Sequence, residues 1–231
     1  MPDAVRIAVV GAESSGKTTL ASALPARLSE ETEGTALRVA WVPEALRGWC
    51  ERAGRTPLAH EQASIMRLQQ DAIDTAAAAH DVVICDTTPL MTAVYSRIVF
   101  GDRSLDARAA HLHARCTLTL LTALDLPWVP DGLQREGPHV QGPVDSTLRE
   151  LLLAHHLPFS VVSGHGAQRM DSALAAVLPA LPALAGLAPN AARGLFTGPR
   201  RAPPASQREA WTCSCCEPTA PTNLRALPRS W

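Results

Sequence analysis

Lysine is almost missing from this chain: of its 21 Lys and Arg residues, 20 are arginine and Lys17 stands alone. The scarcity excludes the Asn-Lys-x-Asp signature that reads a guanine base, because the single lysine falls elsewhere. A charge excess is missing too, with a formal net charge of −1 over 231 residues, so nothing in the balance draws in nucleic acid or an anionic membrane surface. No apolar run reaches the ~18 residues of a spanning helix, and no basic stretch followed by a hydrophobic one opens the chain. Cysteines are few, and Cys50, Cys85 and Cys116 sit in apolar contexts where small buried thiols are common. These absences make a cytoplasmic protein without nucleic-acid or membrane partners the expectation, and they leave the oligomeric state open. The length suits one α/β domain plus an appendage, with no room for the extra helical domain of a large ring-forming ATPase.

What is present begins with Gly11-Ala12-Glu13-Ser14-Ser15-Gly16-Lys17-Thr18. It follows an apolar run, Val5 to Val10, and precedes apolar residues at helical spacing from Thr19 to Leu28, so the order is strand, glycine loop, helix. In that context G-x-x-x-x-G-K-[ST] lets backbone N–H groups converge on the phosphates of a nucleotide, with the helix N-terminus adding about half a positive charge. The alternative is a glycine turn that happens to spell the motif. The position of the lone lysine speaks against it, because a compact ammonium fits between phosphates where a planar guanidinium does not. Gly11, Glu13, Ser14, Ser15, Gly16, Lys17, Thr18 and Thr19 are therefore the expected contacts to the nucleotide. Lys17 reaches the β- and γ-phosphates, and Thr18 offers a hydroxyl to Mg²⁺.

Downstream, residues 37 to 42 read as a second strand ending at Pro43-Glu44, and a long helical stretch runs from Ala59 to His80. Asp81 to Asp86 is a β-branched run closing on an acid, as a buried parallel strand does. Thr87-Thr88-Pro89 opens a further helix, with a threonine as cap and Pro89 near its first turn, running to about Phe100. A charged helical segment spans 104 to 115, and a fourth strand spans 117 to 121. A Pro- and Gly-rich, lid-like loop covers 125 to 145; helix follows from 146 to 156, a fifth strand from 159 to 163, and a closing helix from 171 to about 184. Alternating strands and helices predict an α/β fold of the P-loop NTPase type, a doubly wound parallel five-stranded sheet with helices on both faces. Ligands of such sheets bind beyond the carboxyl ends of the strands. Residues 1–189 make up this domain. Residues 190–231 carry six arginines against two glutamates, a charge of +4 that leaves the body at −5, and they are expected to form a flexible tail without a core. Its Cys213, Cys215 and Cys216 are three thiols where structural zinc wants four ligands, so the choice there lies between a zinc site and exposed thiols.

Several groups on the ligand edge can do chemistry. Asp86 fits the acid that helps hold Mg²⁺ through its water shell, or else a helix cap ahead of Thr88. Glu44 can accept a proton from a substrate hydroxyl, or serve as a helix N-terminal acid. In the lid, Arg135 can stabilise charge on a transferring phosphoryl group or can be a solvated loop arginine. Trp128 can stack on an aromatic ring or anchor the loop to the core. Among the histidines no H-x-E or H-E-x-x-H arrangement occurs.

The P-loop octapeptide, Val42-Pro43-Glu44-Ala45-Leu46-Arg47, Cys85-Asp86-Thr87-Thr88-Pro89-Leu90 with Tyr95, and Leu126-Pro127-Trp128-Val129-Pro130-Asp131-Gly132-Leu133 together resemble the ATP-dependent kinase domain of the NadR proteins. That domain phosphorylates nicotinamide riboside to nicotinamide mononucleotide and belongs to a group of small P-loop domains often labelled AAA ATPases. The resemblance spans roughly residues 5 to 180. It implies catalytic roles for Lys17, Glu44, Asp86 and Arg135, a metal site at Thr18 and Asp86, and acceptor contacts from Glu44, Thr88, Tyr95, Trp128 and Asp131. In the family pattern an arginine directly follows Asp-Gly-Leu; here Gln134 stands there and Arg135 comes next. The resemblance thus implies an ATP- and Mg²⁺-dependent kinase acting on a small riboside in NAD salvage; with no nucleotidyltransferase-type His-x-Gly-His and no helix-turn-helix upstream, the adenylyltransferase and repressor activities of the multidomain proteins are not expected. Two other readings stay open: a regulatory P-loop ATPase or nucleotide switch, and a nucleoside kinase of another specificity.

Overall fold

In the computed structural model of the chain, residues 3–32, 37–129 and 137–181 are described, and all lie in one compact unit, Met1–Ala188. Five strands, β1 (Val5–Val10), β2 (Val39–Val42), β3 (Val82–Asp86), β4 (Leu118–Thr122) and β5 (Ser160–Val162), form one parallel sheet in the order β2-β3-β1-β4-β5. Among the described residues seven α-helices accompany them: α1 (Lys17–Glu31), α2 (Ala45–Ala53), α3 (Gln62–Ala79), α4 (Pro89–Phe100), α5 (Asp106–His113), α6 (Gln141–Ala154) and α7 (Ala167–Val177). This is the doubly wound sheet the alternation predicts.

Strand alternation sends side chains to opposite faces, and β1 shows the result. Val5, Ile7 and Val9 enter a layer with Leu20, Leu24 and Leu28 of α1 and Leu174 and Val177 of α7. Ala8 and Val10 enter the other layer with Met66 of α3, Leu90 and Val94 of α4, and Leu148 and Leu151 of α6. Both faces are covered, which is why β3 is buried along its whole length. The register sets Val9 beside Asp86 and Val10 beside Leu121, so β1, β3 and β4 end together at the sheet edge.

Most elements begin or end within a few residues of the sequence expectation, and three differences bear on the site. A helix, α2, follows Glu44 directly, which puts the acid at a helix N-terminus, one of its two expected settings. The closing helix α7 begins at Ala167 rather than 171. Helix α6 begins at Gln141, inside the span expected to be loop, because Gly142 and Pro143 fall in its first turn. The first four N–H groups of a helix have no intrahelical acceptor, so a proline there costs no hydrogen bond.

Behind the edge lies a buried polar relay. The Thr88 hydroxyl caps α4 by accepting from the Leu90 N–H at 3.3 Å and pairs with His113 Nδ1 at 2.8 Å, while His113 Nε2 meets Thr119 Oγ1 at 2.9 Å. Burial lowers the imidazole to about 4 from its usual 6.5. A histidine held neutral in the fold must gain a proton on unfolding, so this group's contribution is complete above about pH 6.5 and is lost as pH falls towards 4. The loss amounts to at most about 3 kcal/mol. Melting curves from pH 7 to 4.5 should show this decline, and His113→Gln should flatten it. Among the described residues, no helix is long and apolar enough to cross a membrane.

Candidate active site

The loop between β1 and α1 is shaped by backbone constraints at its two glycines. Gly11 has φ +152°, and a Cβ there would lie 2.1 Å from Thr122 Oγ1, so any side chain would collide with the end of β4. Gly16 adopts the left-handed region at φ +78° and caps α1. Ser14 is also left-handed, at φ 54°; alternating hand of this kind curls successive N–H groups into an anion-binding concavity. The carbonyls are held from several sides. Ala12 O accepts from Ser15 Oγ and from Lys17 Nζ, each at 2.7 Å. Glu13 O accepts from Gln141 Nε2 at 2.7 Å, and Ser15 O accepts from Arg169 Nη1 at 3.0 Å. Lys17 is only 8 % exposed, its ammonium folded over the loop. Glu13 is buried as well, and its Oε2 has no hydrogen-bond partner among the described residues. Thr19 is exposed on α1.

Asp86 closes β3 beside the loop and is 2 % exposed. Burial raises its carboxyl above the ordinary value; the Thr18 hydroxyl hydrogen-bonded to it and the charges of Lys17 and Arg47 oppose that shift only in part. Its Oδ1 has no partner among the described residues. The next residue, Thr87, takes φ 68°, a costly conformation for a β-branched side chain, with its N–H on Val9 O at 3.0 Å. A buried carboxylate oxygen left open, next to a hydroxyl and a phosphate-binding loop, fits Mg²⁺, which prefers hard oxygens and keeps most of its waters. Thr18 and Asp86 are the groups that would hold it. No cluster of three or more His, Cys, Asp or Glu suited to a metal occurs among the described residues.

An acid whose folded pKa is raised binds protons more readily folded than unfolded. Its cost is therefore absent at acid pH and grows as pH rises through that interval. Asp86→Asn should accordingly raise the melting temperature at pH 7 while removing the stabilisation that Mg²⁺-nucleotide confers on the wild type. A melt that falls without ligand would contradict this.

Glu44 stands at the N-cap of α2 with φ −64°, ψ 114°, and its side chain makes no capping hydrogen bond. Gln69 of α3 holds that turn instead, its Oε1 accepting from Ala45 N at 2.7 Å and its Nε2 donating to Pro43 O at 3.4 Å. The remaining expected residues are placed less uniformly. Thr88 is buried in the relay just described, and Tyr95 packs against the α4–α6 core layer. Trp128 is half-buried, with Nε1 lacking a partner among the described residues. Its neighbour Val129 accepts from Ser14 Oγ at 2.6 Å, which ties the segment to the loop. Asp131 and Arg135 lie outside the described residues, as does the 190–231 tail.

Sequence reasoning missed a buried cluster behind the loop. Arg169, 5 % exposed, donates to Ser15 O, to Gly164 O at 2.9 Å and to Asp125, while Asp125 Oδ2 accepts from Gly164 N at 2.6 Å. Desolvation pushes the Asp125 carboxyl up, but the Gly164 N–H and the Arg169 charge prevail and hold it below its ordinary value. No local motif marks these residues; the two nearby glycines, Gly164 and Gly166, were the only signal of a constrained turn.

A glycine loop on the central strand, an acid closing the adjacent strand and a parallel sheet in this order define a P-loop NTPase domain. The sequence model of the AAA domain family matches residues 6–169, more than half of the chain, and the protein belongs to that family. No curated protein matches it in sequence. Similar solved structures include the NadR protein in complex with NR, at 19 % identity and TM-score 0.60 over 78 % of this chain and 51 % of that one. A second NadR structure, in complex with NAD and AMP-PNP, is 17 % identical with TM-score 0.57 over 75 % and 49 %. Thymidylate kinase from Ehrlichia chaffeensis is 15 % identical with TM-score 0.53 over 76 % and 98 %. The chain thus shares the fold of NadR-type and other P-loop kinases, and it spans about half the length of the NadR chains.

Proposed function

We propose that the protein is an ATP-dependent kinase that phosphorylates the hydroxyl of a small riboside, with nicotinamide riboside as acceptor and nicotinamide mononucleotide as product. The observation that carries the reading is the open Oδ1 of buried Asp86 beside Thr18 and the loop, with a second acid, Glu44, at the carboxyl end of β2 on the same edge. Lys17 and the loop N–H groups hold the β- and γ-phosphates, and bound Mg²⁺ would neutralise charge on them. Glu44 takes the proton of the acceptor hydroxyl. The hydroxyl oxygen then bonds to the γ-phosphorus as the bond from that phosphorus to the β–γ bridging oxygen breaks, and ADP leaves. The likeness of the fold to NadR supports the choice of acceptor, together with the Trp128 segment.

The test is ADP release by the purified protein with Mg²⁺ and ATP, alone and with a panel of ribosides. Stimulation by nicotinamide riboside is the expected result. Stimulation by thymidine or another nucleoside in its place reassigns the acceptor, and no stimulation by any acceptor gives way to a regulatory ATPase.

A further inference from the structure

We infer that Gln141 and Arg169, two residues outside the phosphate-binding motif, orient the loop's peptide units and thereby set its affinity for phosphate; the inference rests on the nucleotide-binding part of the reading above. In a trans peptide the C=O of one residue and the N–H of the next point in opposite directions. Gln141 holds Glu13 O, so the Ser14 N–H points away from α6. Arg169 holds Ser15 O, so the Gly16 N–H points away from α7. The two held carbonyls alternate with the left-handed residues Ser14 and Gly16, and such alternation turns the N–H groups of their peptide units to one side of the loop. The Ala12–Glu13 peptide is different, its carbonyl serving Ser15 Oγ and Lys17 Nζ.

Arg169 suits this work because three acceptors, Ser15 O, Gly164 O and Asp125, fix its fork. A lysine has no planar fork with which to meet all three. These are positioning residues: each acts on the phosphates through the backbone it holds.

The experiment measures binding to the full chain of two probes, Mg²⁺-AMP-PNP and inorganic tripolyphosphate, by calorimetry. Arg169→Lys and Gln141→Leu are each expected to weaken both probes in parallel, by about tenfold. The parallel loss is the telling readout, because tripolyphosphate has no base or sugar to contact anything else. Unchanged affinities, or a loss confined to AMP-PNP, would overturn the inference. Gln141 is only half-buried, so if Arg169→Lys fails to fold, Gln141→Leu decides alone. Neither probe needs an acceptor: failure of every riboside to stimulate the wild type would sink the kinase reading and leave this result standing.

Discussion

Lys17→Ala is expected to abolish ADP release, by about 10³-fold or more, while leaving a folded protein. Removing one preorganised donor from a charge-developing site costs about 10²–10³ in rate, and in the proposed reaction this donor also carries the charge that meets the γ-phosphate. The fold should tolerate the change because Ala12 O keeps the Ser15 hydroxyl at 2.7 Å, so no buried acceptor is stranded. Asp86 should feel the loss as well. Burial raises its carboxyl, and Lys17 is one of the charges opposing that rise, so residual activity should need more Mg²⁺. Lys17→Arg should not rescue turnover, since the guanidinium is larger and planar. Circular dichroism melts paired with ADP release check both halves. Near-wild-type turnover in Lys17→Ala would remove the basis for a nucleotide site here.

Glu44→Gln should lower kcat by about 10²–10⁴, the usual worth of a positioned base, with little change in AMP-PNP affinity. The separation is expected because the proposed reaction has the loop hold the phosphates, whereas Glu44 sits two strands away, at the end of β2. Gln69 rather than the carboxylate secures the start of α2, so the melting temperature should also stay put. Stopped-flow rates beside equilibrium binding distinguish the two effects. A rate equal to wild type would return Glu44 to the part of a helix N-terminal acid.

The loop was legible because its chemistry forces local residues: two glycines where the backbone must turn or approach, and one ammonium in a chain of guanidiniums. Strand β3 was legible for a similar reason, since a buried parallel strand reads as a β-branched run. What escaped depends on contacts between distant residues. Nothing near Arg169 announces that it holds Ser15, 154 positions away, and nothing near Gln141 points to Glu13. Helix α6 was cut short because Pro143 reads as a breaker, whereas in a first turn it is harmless. Thr88 carried two local signals, a capping position and a place beside Asp86. The first describes its observed bonds, and the partner that buries it, His113, is set by the tertiary fold.

The strand order also governs when the site can exist. Its first strand, β1, pairs on one side with β3 and on the other with β4, whose residues come more than a hundred positions later. Gly11 packs against Thr122, and Ser15 bonds to it at 2.6 Å. A growing chain therefore leaves the ribosome with its glycine loop made early and its walls made late. Pairings this remote in sequence are slow to close, and the loop lacks its Thr122 wall until β4 has emerged. Truncations that stop short of Thr122 should be clients of chaperones, however complete their motif.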